Sequence, residues 1–350
     1  MRLGMIVRMD KTGLGNQTRE LVKMLNPSKL LIIDAKRFNY NEQHPEWYEG
    51  YDYIINDGFL SDGIVNTFLN DIDVIFSCEI FYNDNLVSIA RTRGIKTILQ
   101  YNYEFLDYYN NPTYPLPDYL LAPSVWELDR VKRDFGGRTN LVYLPPAMDH
   151  KQFAENAKQN KSKNHKRILH IAGKPAHLDR NGTELIIDML KFSTADYELV
   201  IRGQFPIEEI ECDDPRVKIE IDNVDDHIGM YAGFDAMILP RRYGGLCLPM
   251  NEALLSALPV FMTDISPNNA ILPKEWLAHA TLQGNFWAKS HVEYYQANVR
   301  DLAAKIDAYV NSNKKALHKN TAFEIGYNNF SAEVLKDKYL SIIAKEKPGD

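Results

Sequence analysis

Short apolar runs recur along this chain, alternating with polar stretches that suit a helix. A strand that is apolar throughout is buried on both faces, which calls for a parallel sheet with helices packed on either side. Such runs occupy Arg2–Arg8, Lys29–Asp34, Asp52–Asn56, Ile72–Ser77, Ile95–Gln100, Tyr119–Ala122 and Asn140–Leu144. Helical patterns fall between them at Asn16–Leu25, Ile64–Leu69, Asn85–Arg93 and Val125–Phe135. Then the alternation stops. Pro145-Pro146 is followed by Lys151–Lys166, which has almost no large apolar residue and reads as an exposed linker. It restarts with strands at Arg167–Ala172, Glu198–Arg202, Val217–Ile221, Ala236–Leu239 and Val260–Met262, and helices at Thr183–Leu190, Asp225–Tyr231 and Glu252–Ala257. From His291 onward the chain reads as helical and without strands. The predicted fold class is α/β, with two Rossmann-like doubly wound parallel-sheet domains at 1–146 and 167–325. A linker at 147–166 joins them, and a helical segment at 326–350 follows. A length of 350 residues agrees, because a single core seldom grows beyond about 250–300 residues.

Composition narrows the partners. The apolar fraction of 45% and charged fraction of 25% are those of an ordinary globular chain. No apolar run approaches the roughly 18 residues of a membrane span, and Met1–Val7 lacks the apolar stretch of a secretion signal. A cytoplasmic protein without a transmembrane segment is expected. Cys78, Cys212 and Cys247 are too widely spaced for a zinc site or a disulfide framework, and read as packing residues. Net charge is -7, and residues 1–150 hold 15 basic against 20 acidic side chains. Phosphate backbones and anionic lipids attract the opposite sign, so a nucleic-acid partner is disfavoured.

In doubly wound sheets, ligands gather at the carboxyl ends of the strands, and three segments stand there. Asp10–Asn16 (DKTGLGN) sets Gly13 and Gly15 between the first strand and first helix, where bare backbone can approach an anion. A dinucleotide fingerprint competes for this segment, with Asp34 as the ribose acid, but Thr18 fills the third glycine position and would hinder close helix–strand packing. Gly173–Gly182 (GKPAHLDRNG) brackets a turn with Lys174 and Arg180. Two cations and a helix N-terminus suit a diphosphate; a solvated loop with two surface cations is the plain alternative. Leu239–Val260 (LPRRYGGLCLPMNEALLSALPV) carries Arg241, Arg242, the Gly244-Gly245 pair and Pro249 into the next helix. Paired glycines bare backbone N–H groups to a sugar phosphate, and Glu252 can accept hydrogen bonds from the vicinal hydroxyls of a ribose. The alternative for Glu252 is an acid favoured by the first turn of a helix. No clustered carboxylates suggest a metal.

This third segment resembles the signature of the retaining GT-B glycosyltransferases, in particular glycosyltransferase family 4, of the form P-S-x-x-E-G-F-G-L-P-x-x-E-A-x-x-x-G-x-P-V. Pro240, Gly245, Leu248, Pro249, Glu252, Ala253, Pro259 and Val260 fall at matching spacing. Gly13–Gly15 is similar to the family's N-terminal glycine loop, and Gly173, Lys174 and Arg180–Gly182 to its phosphate element. Phage and bacterial members with an RRYGGLCLP-type stretch are the nearest in kind. The resemblance implies a GT-B architecture, two domains facing a central cleft, with the C-terminal helix crossing back to the first domain. It implies transfer of a sugar from a nucleotide diphosphate, a UDP- or GDP-sugar serving as co-substrate, to a hydroxyl acceptor. Retention of configuration is implied, with no metal and no cofactor. Glu252 inherits the donor ribose, and Lys174 and Arg180 the diphosphate. Arg242 and the backbone of Gly244, Gly245, Leu246, Cys247 and Leu248 fall against the sugar and its phosphate. Lys174, Arg180 and Glu252 should therefore converge on one pyrophosphate-linked ribose.

Two departures stand out. The first acid of the signature, eight residues before Glu252, is Gly244 here. The family's histidine after the fourth strand is also missing, since Gln100–Phe105 reads QYNYEF. Glu104 is its nearest polar replacement, and Glu79, just past Ile72–Ser77, is a second candidate to hold or activate an acceptor. The aromatic group Tyr101, Tyr103, Phe105, Tyr108, Tyr109 and Tyr114 suits stacking on sugars or bases. Acceptors to consider are a glycan and, for a phage protein, a hydroxymethylated DNA base or a virion protein. Competing functions are a GT-B nucleotide-sugar epimerase and a non-catalytic nucleotide-sugar binder.

Overall fold

A computed structural model describes residues 1–36, 42–110, 114–173, 177–203, 212–221 and 226–344. The chain forms two compact units. The first holds Met1–Asp149, Ala288–Ser290 and the chain from Ala332 on; the second holds His150–Trp287 and His291–Ser331.

In the first unit the strands are β1 (Leu3–Arg8), β2 (Lys29–Asp34), β3 (Tyr53–Asp57), β4 (Val74–Glu79), β5 (Lys96–Tyr101), β6 (Tyr119–Ala122) and β7 (Asn140–Tyr143). They form one sheet in the order β3-β2-β1-β4-β5-β6-β7, parallel throughout. The helices between them are α1 (Gly13–Leu25), α2 (Asp62–Phe68), α3 (Leu86–Thr92) and α4 (Leu128–Phe135). Every residue of β1 and β5 is buried, as a two-sided sheet requires. The helix α1 starts three residues earlier than its apolar pattern, because the Thr12 hydroxyl accepts from the Gly15 amide at 3.2 Å and caps it.

The second unit opens with α5 (Ala154–Ser162), then alternates β8 (Arg167–Gly173), α6 (Thr183–Leu190), β9 (Glu198–Gly203), β10 (Val217–Ile221), β11 (Ala236–Leu239), α7 (Leu248–Leu255), β12 (Val260–Thr263) and β13 (Leu277–Ala278). These strands pair in parallel in the order β10-β9-β8-β11-β12-β13. A hairpin of β14 (Ala280–Trp287) and β15 (His291–Ala297) follows, then α8 (Val299–Val310) and α9 (Lys315–Phe330). The last helix, α10 (Ala332–Ala344), belongs to the first unit, where Leu335, Tyr339, Ile342 and Ile343 join the core around β1, β4 and β5.

Three expectations from sequence are corrected. The stretch Lys151–Lys166 is not a bare linker: α5 runs through it and buries Asn156, Ala157 and Asn160. The Asn160 side-chain amide donates to the carbonyls of Tyr231 and Ser256 at 2.9 and 2.8 Å, and its Oδ1 accepts from the Gly233 and Phe234 amides. The region after His291 is not purely helical, since β15 pairs antiparallel with β14, with a register shift between Leu282 and Gly284. The helix expected at Asp225–Tyr231 is, within the described residues, a single 3-10 turn at Gly229–Tyr231.

Candidate functional site

The strand order of the second sheet reverses between β8 and β11, which lie side by side in parallel with Ala236 opposite Ile168. The loops leaving their carboxyl ends therefore begin next to one another, at the place where open α/β sheets bind ligands. They are stitched together. The Arg242 amide donates to the Arg180 carbonyl at 2.9 Å. Gly182 sits at φ +75°, and a side-chain carbon there would lie 2.5 Å from the Pro240 carbonyl oxygen, so only glycine lets the two loops meet this closely. The Arg180 guanidinium lies 5.7 Å from the Tyr243 ring centroid, and the Tyr243 hydroxyl donates to the His177 carbonyl at 2.6 Å. Thus Arg180, Arg242, Gly244, Gly245, Leu246 and Cys247 share one loop pair, and Leu248 opens the helix that follows it. Lys174 lies outside the described residues, so its side of the expected diphosphate pair is not placed.

Beneath these loops sits His170, fully buried in β8. Its Nδ1 and Nε2 each lie 2.9 Å from a partner, the Ile238 carbonyl and the Thr183 hydroxyl. A neutral ring with Nδ1–H donating and Nε2 accepting satisfies both. Burial lowers the imidazole from 6.5 to about 4. The unfolded chain therefore binds the extra proton between those values, and stability that is fully present above the unfolded value is lost as pH falls toward the folded one. The full difference is worth about 3 kcal/mol, at roughly 1.4 kcal/mol for each factor of ten. Urea unfolding of wild type between pH 4 and 7 is expected to weaken by that order relative to the variant His170→Asn; parallel pH slopes for the two proteins would refute it.

Glu252 lies in the second turn of α7, whose first turn holds no acid and includes Pro249, where a missing N–H costs nothing. The helix begins at Leu248, four residues before its expected start, so the first-turn explanation for Glu252 does not apply. Its carboxylate is 4% exposed. One oxygen lies 2.9 Å from His227 Nε2, and the other accepts from the Tyr231 hydroxyl. Burial pushes the carboxyl up, but His227 and the Tyr231 hydroxyl outweigh it and hold the group below its ordinary value. A buried acid kept ionised, with lone pairs left over after two partners, is equipped to accept further hydrogen bonds. His227 and Tyr231 escaped the sequence reading, because they lie 25 and 21 residues before Glu252 and share no spacing rule with it.

In the first unit the strand order reverses between β1 and β4, and the candidates again collect at the strand ends. Gly15 admits the Asp10 carbonyl oxygen, which would lie 1.8 Å from a side-chain carbon at that position. Thr18, buried, accepts from the Arg8 amide at 3.2 Å and donates to the Gly15 carbonyl at 3.1 Å, so α1 is held to β1 through a side chain and not through a third glycine. Arg8 pairs with Asp10 at 2.7 Å, both buried. Glu79 ends β4 at φ +70°, with the Ile80 amide donating to the Cys78 carbonyl across it at 2.9 Å, a strained tight turn of the kind that collects at functional sites. Burial pushes the Glu79 carboxyl above its ordinary value, and the nearby Glu104 adds to the push; Asn102, Arg8 and Lys289 oppose it. Asn102 donates to Glu79 at 3.3 Å. Glu79 and Glu104 are therefore neighbours, with Asn102 and Lys289 as companions that sequence reasoning did not nominate.

The aromatic group divides. Tyr101 and Tyr103 are buried, Tyr103 packing against Trp126 at 4.7 Å, and Phe105 lies under Lys289 at 4.0 Å. Tyr114 bonds Asp84 at 3.4 Å. The side chains of Tyr108 and Tyr109 lie outside the described part. Tyr101 and Tyr103 are thus packed within the first unit. Cys78 and Cys247 are core residues, and burial pushes the Cys78 thiol up. Among the described residues, no group of three His, Cys, Asp or Glu side chains is arranged to hold a metal, and no helix is long and apolar enough to cross a membrane.

No protein-family model matches the chain, and no curated protein matches it. Solved structures do. HepE of Anabaena, crystallised with UDP and glucose, is 12% identical with a TM-score of 0.69 over 98% of this chain and 99% of its own. A glycosyltransferase from Rickettsia africae is 14% identical, with a TM-score of 0.67 over 97% of each chain. Sucrose-phosphate synthase from Thermosynechococcus elongatus is 12% identical, with a TM-score of 0.66 over 98% of each. The fold is GT-B, built from two parallel-sheet α/β units.

Proposed function

We propose that the protein is a glycosyltransferase that takes a sugar from a nucleotide-diphosphate donor and passes it to a hydroxyl acceptor. The observation that carries this reading is Glu252: a buried carboxylate kept ionised by His227 and Tyr231, one helical turn into the element that follows the Gly244-Gly245 loop. Its free lone pairs suit the two hydroxyls of a ribose. Arg180, with Lys174, neutralises the diphosphate as it leaves, and the loop from Arg242 through Gly244, Gly245, Leu246, Cys247 and Leu248 cradles the sugar phosphate. Cations and dipoles fixed in advance stabilise charge that grows in the transition state, so no metal is invoked. Glu79, poised toward its protonated form, and Glu104 are the groups on the first unit for the acceptor hydroxyl. A glycan is the favoured acceptor, a hydroxymethylated DNA base the second. The related structures with UDP and with UDP-glucose support a uridine donor. Retention of configuration follows the family 4 resemblance.

The test is incubation with a panel of UDP- and GDP-sugars, following nucleotide release with and without glycan and hydroxymethylated-DNA acceptors. Acceptor-dependent release, reduced at least tenfold in Arg180→Ala, is expected. Release of free sugar without acceptor would replace transfer by epimerase-like or hydrolytic chemistry. Tight binding without turnover would leave a binder.

A further inference from the structure

Arg241 differs from Arg8 and Lys319, two other buried cations of this chain. Arg8 has Asp10 at 2.7 Å and Lys319 has Asp235 at 2.6 Å. Arg241, only 5% exposed, has among the described residues no carboxylate at all. Its Nη1 donates to the Leu246 carbonyl at 2.8 Å, while its Nε has no hydrogen-bond partner. Its Nη2 lies 2.7 Å from the point where a side chain would leave Gly244, which sits at φ +108°. Any side chain at 244 would have to displace the guanidinium. Beside it, Arg242 also has an unpartnered Nε, and its nearest acid is Glu184, 3.8 Å away and mostly exposed. The loop that Arg241 grips runs into α7, whose first turn has no acidic side chain to offset the positive end of the helix.

Removing a guanidinium from water costs several kcal/mol unless an anion compensates. One carbonyl dipole falls short of that, so the compensating charge has to arrive with a ligand. We propose that Arg241 is an oxyanion-binding residue whose counter-ion is carried by the bound donor, as a phosphate oxygen or as a carboxylate on the transferred sugar. The identity of the ligand rests on the proposed function; the need for an anion does not. A glycine at 244 is then the condition for Arg241 to lie along the loop.

Two readouts separate the inference from the reading beneath it. Sulfate, compared with chloride at equal ionic strength, probes the anion site without any nucleotide. It is expected to raise the melting temperature of wild type by several degrees, with the rise lost in Arg241→Gln and mostly kept in Arg241→Lys. Calorimetric titration with UDP, GDP, UDP-glucose and UDP-glucuronic acid identifies the source. An equal tenfold or greater loss for UDP and UDP-glucose in Arg241→Gln assigns a phosphate oxygen. A tenfold preference of wild type for UDP-glucuronic acid over UDP-glucose, abolished in Arg241→Gln, assigns the sugar carboxylate. A folded Arg241→Gln that keeps the sulfate response and every affinity overturns the inference. If that variant does not fold, a wild type without any response to sulfate or nucleotide overturns it equally. An Arg241-dependent sulfate response without nucleotide binding would leave the anion site standing and remove the proposed function.

Discussion

Glu252→Ala is expected to weaken nucleotide-sugar binding by about 100-fold, the equivalent of two hydrogen bonds to a charged acceptor at the low end of their range, ~1.5 kcal/mol each. The same change removes the partner of the Tyr231 hydroxyl, which is completely buried. An orphaned hydroxyl in that position costs about 1–3 kcal/mol of stability, so affinity must be measured on protein shown to be folded by circular dichroism. Glu252→Gln keeps the shape and one acceptor oxygen while discarding the charge, and is expected to fall between wild type and alanine. Titration calorimetry with the tightest-binding nucleotide reads both effects. Unchanged affinity in folded Glu252→Ala would remove the ribose from this site. The acid side of the pH profile carries the same signature. A carboxyl held below its ordinary value stabilises the fold above the unfolded value, and that contribution is lost as pH falls through the folded one. The stability advantage of wild type over folded Glu252→Ala should therefore shrink as the solution is made acidic.

Lys319→Met is expected to cost about 3–5 kcal/mol of stability, the penalty for leaving one member of a buried ion pair alone. Lys319 and Asp235 are both almost fully buried, 2.6 Å apart. The lysine also donates to the Asn160 carbonyl at 2.6 Å, tying α9 to α5 and to the start of β11. Asp235 keeps the amides of His165 and Lys166, so its charge is partly compensated and the protein should still fold at low temperature. Adding Asp235→Asn to Lys319→Met should recover part of the loss. Urea midpoints of the single and double variants measure it. A single-variant loss under about 1 kcal/mol would place the pair among the weak surface bridges and refute its role.

The two parallel sheets were readable because a strand buried on both faces cannot hide its composition: β11 is apolar throughout, and β1, β2 and β4 each hold three or more consecutive large apolar residues. The hairpin of β14 and β15 was not, because its faces are largely exposed and the turn at Ala288–Ser290 lacks the glycine chemistry that marks tight hairpins. The helix α5 was missed for the opposite reason. Its buried face is built from Asn156 and Asn160, polar residues satisfied by carbonyls of the 228–231 segment and of Ser256, and hydropathy has no way to anticipate such pairing. Of the candidate residues, Arg180 and the glycine pair could be expected in adjoining loops, because each follows a strand end where the sheet order reverses. What surrounds Glu252 could not, since His227 and Tyr231 reach it only through the fold.

The first unit is the one translated first, yet it cannot be complete until the ribosome has made α10. That helix supplies Leu335, Tyr339, Ile342 and Ile343 to its core, the Tyr339 hydroxyl donates to the Pro145 carbonyl at 2.8 Å, and the Lys96 ammonium donates to the Ile342 carbonyl at 2.9 Å. Until α10 has emerged, the amino-terminal sheet keeps an uncovered apolar face. A chain truncated after Ser331 would thus keep every element of the second unit and leave the first with an aggregation-prone face.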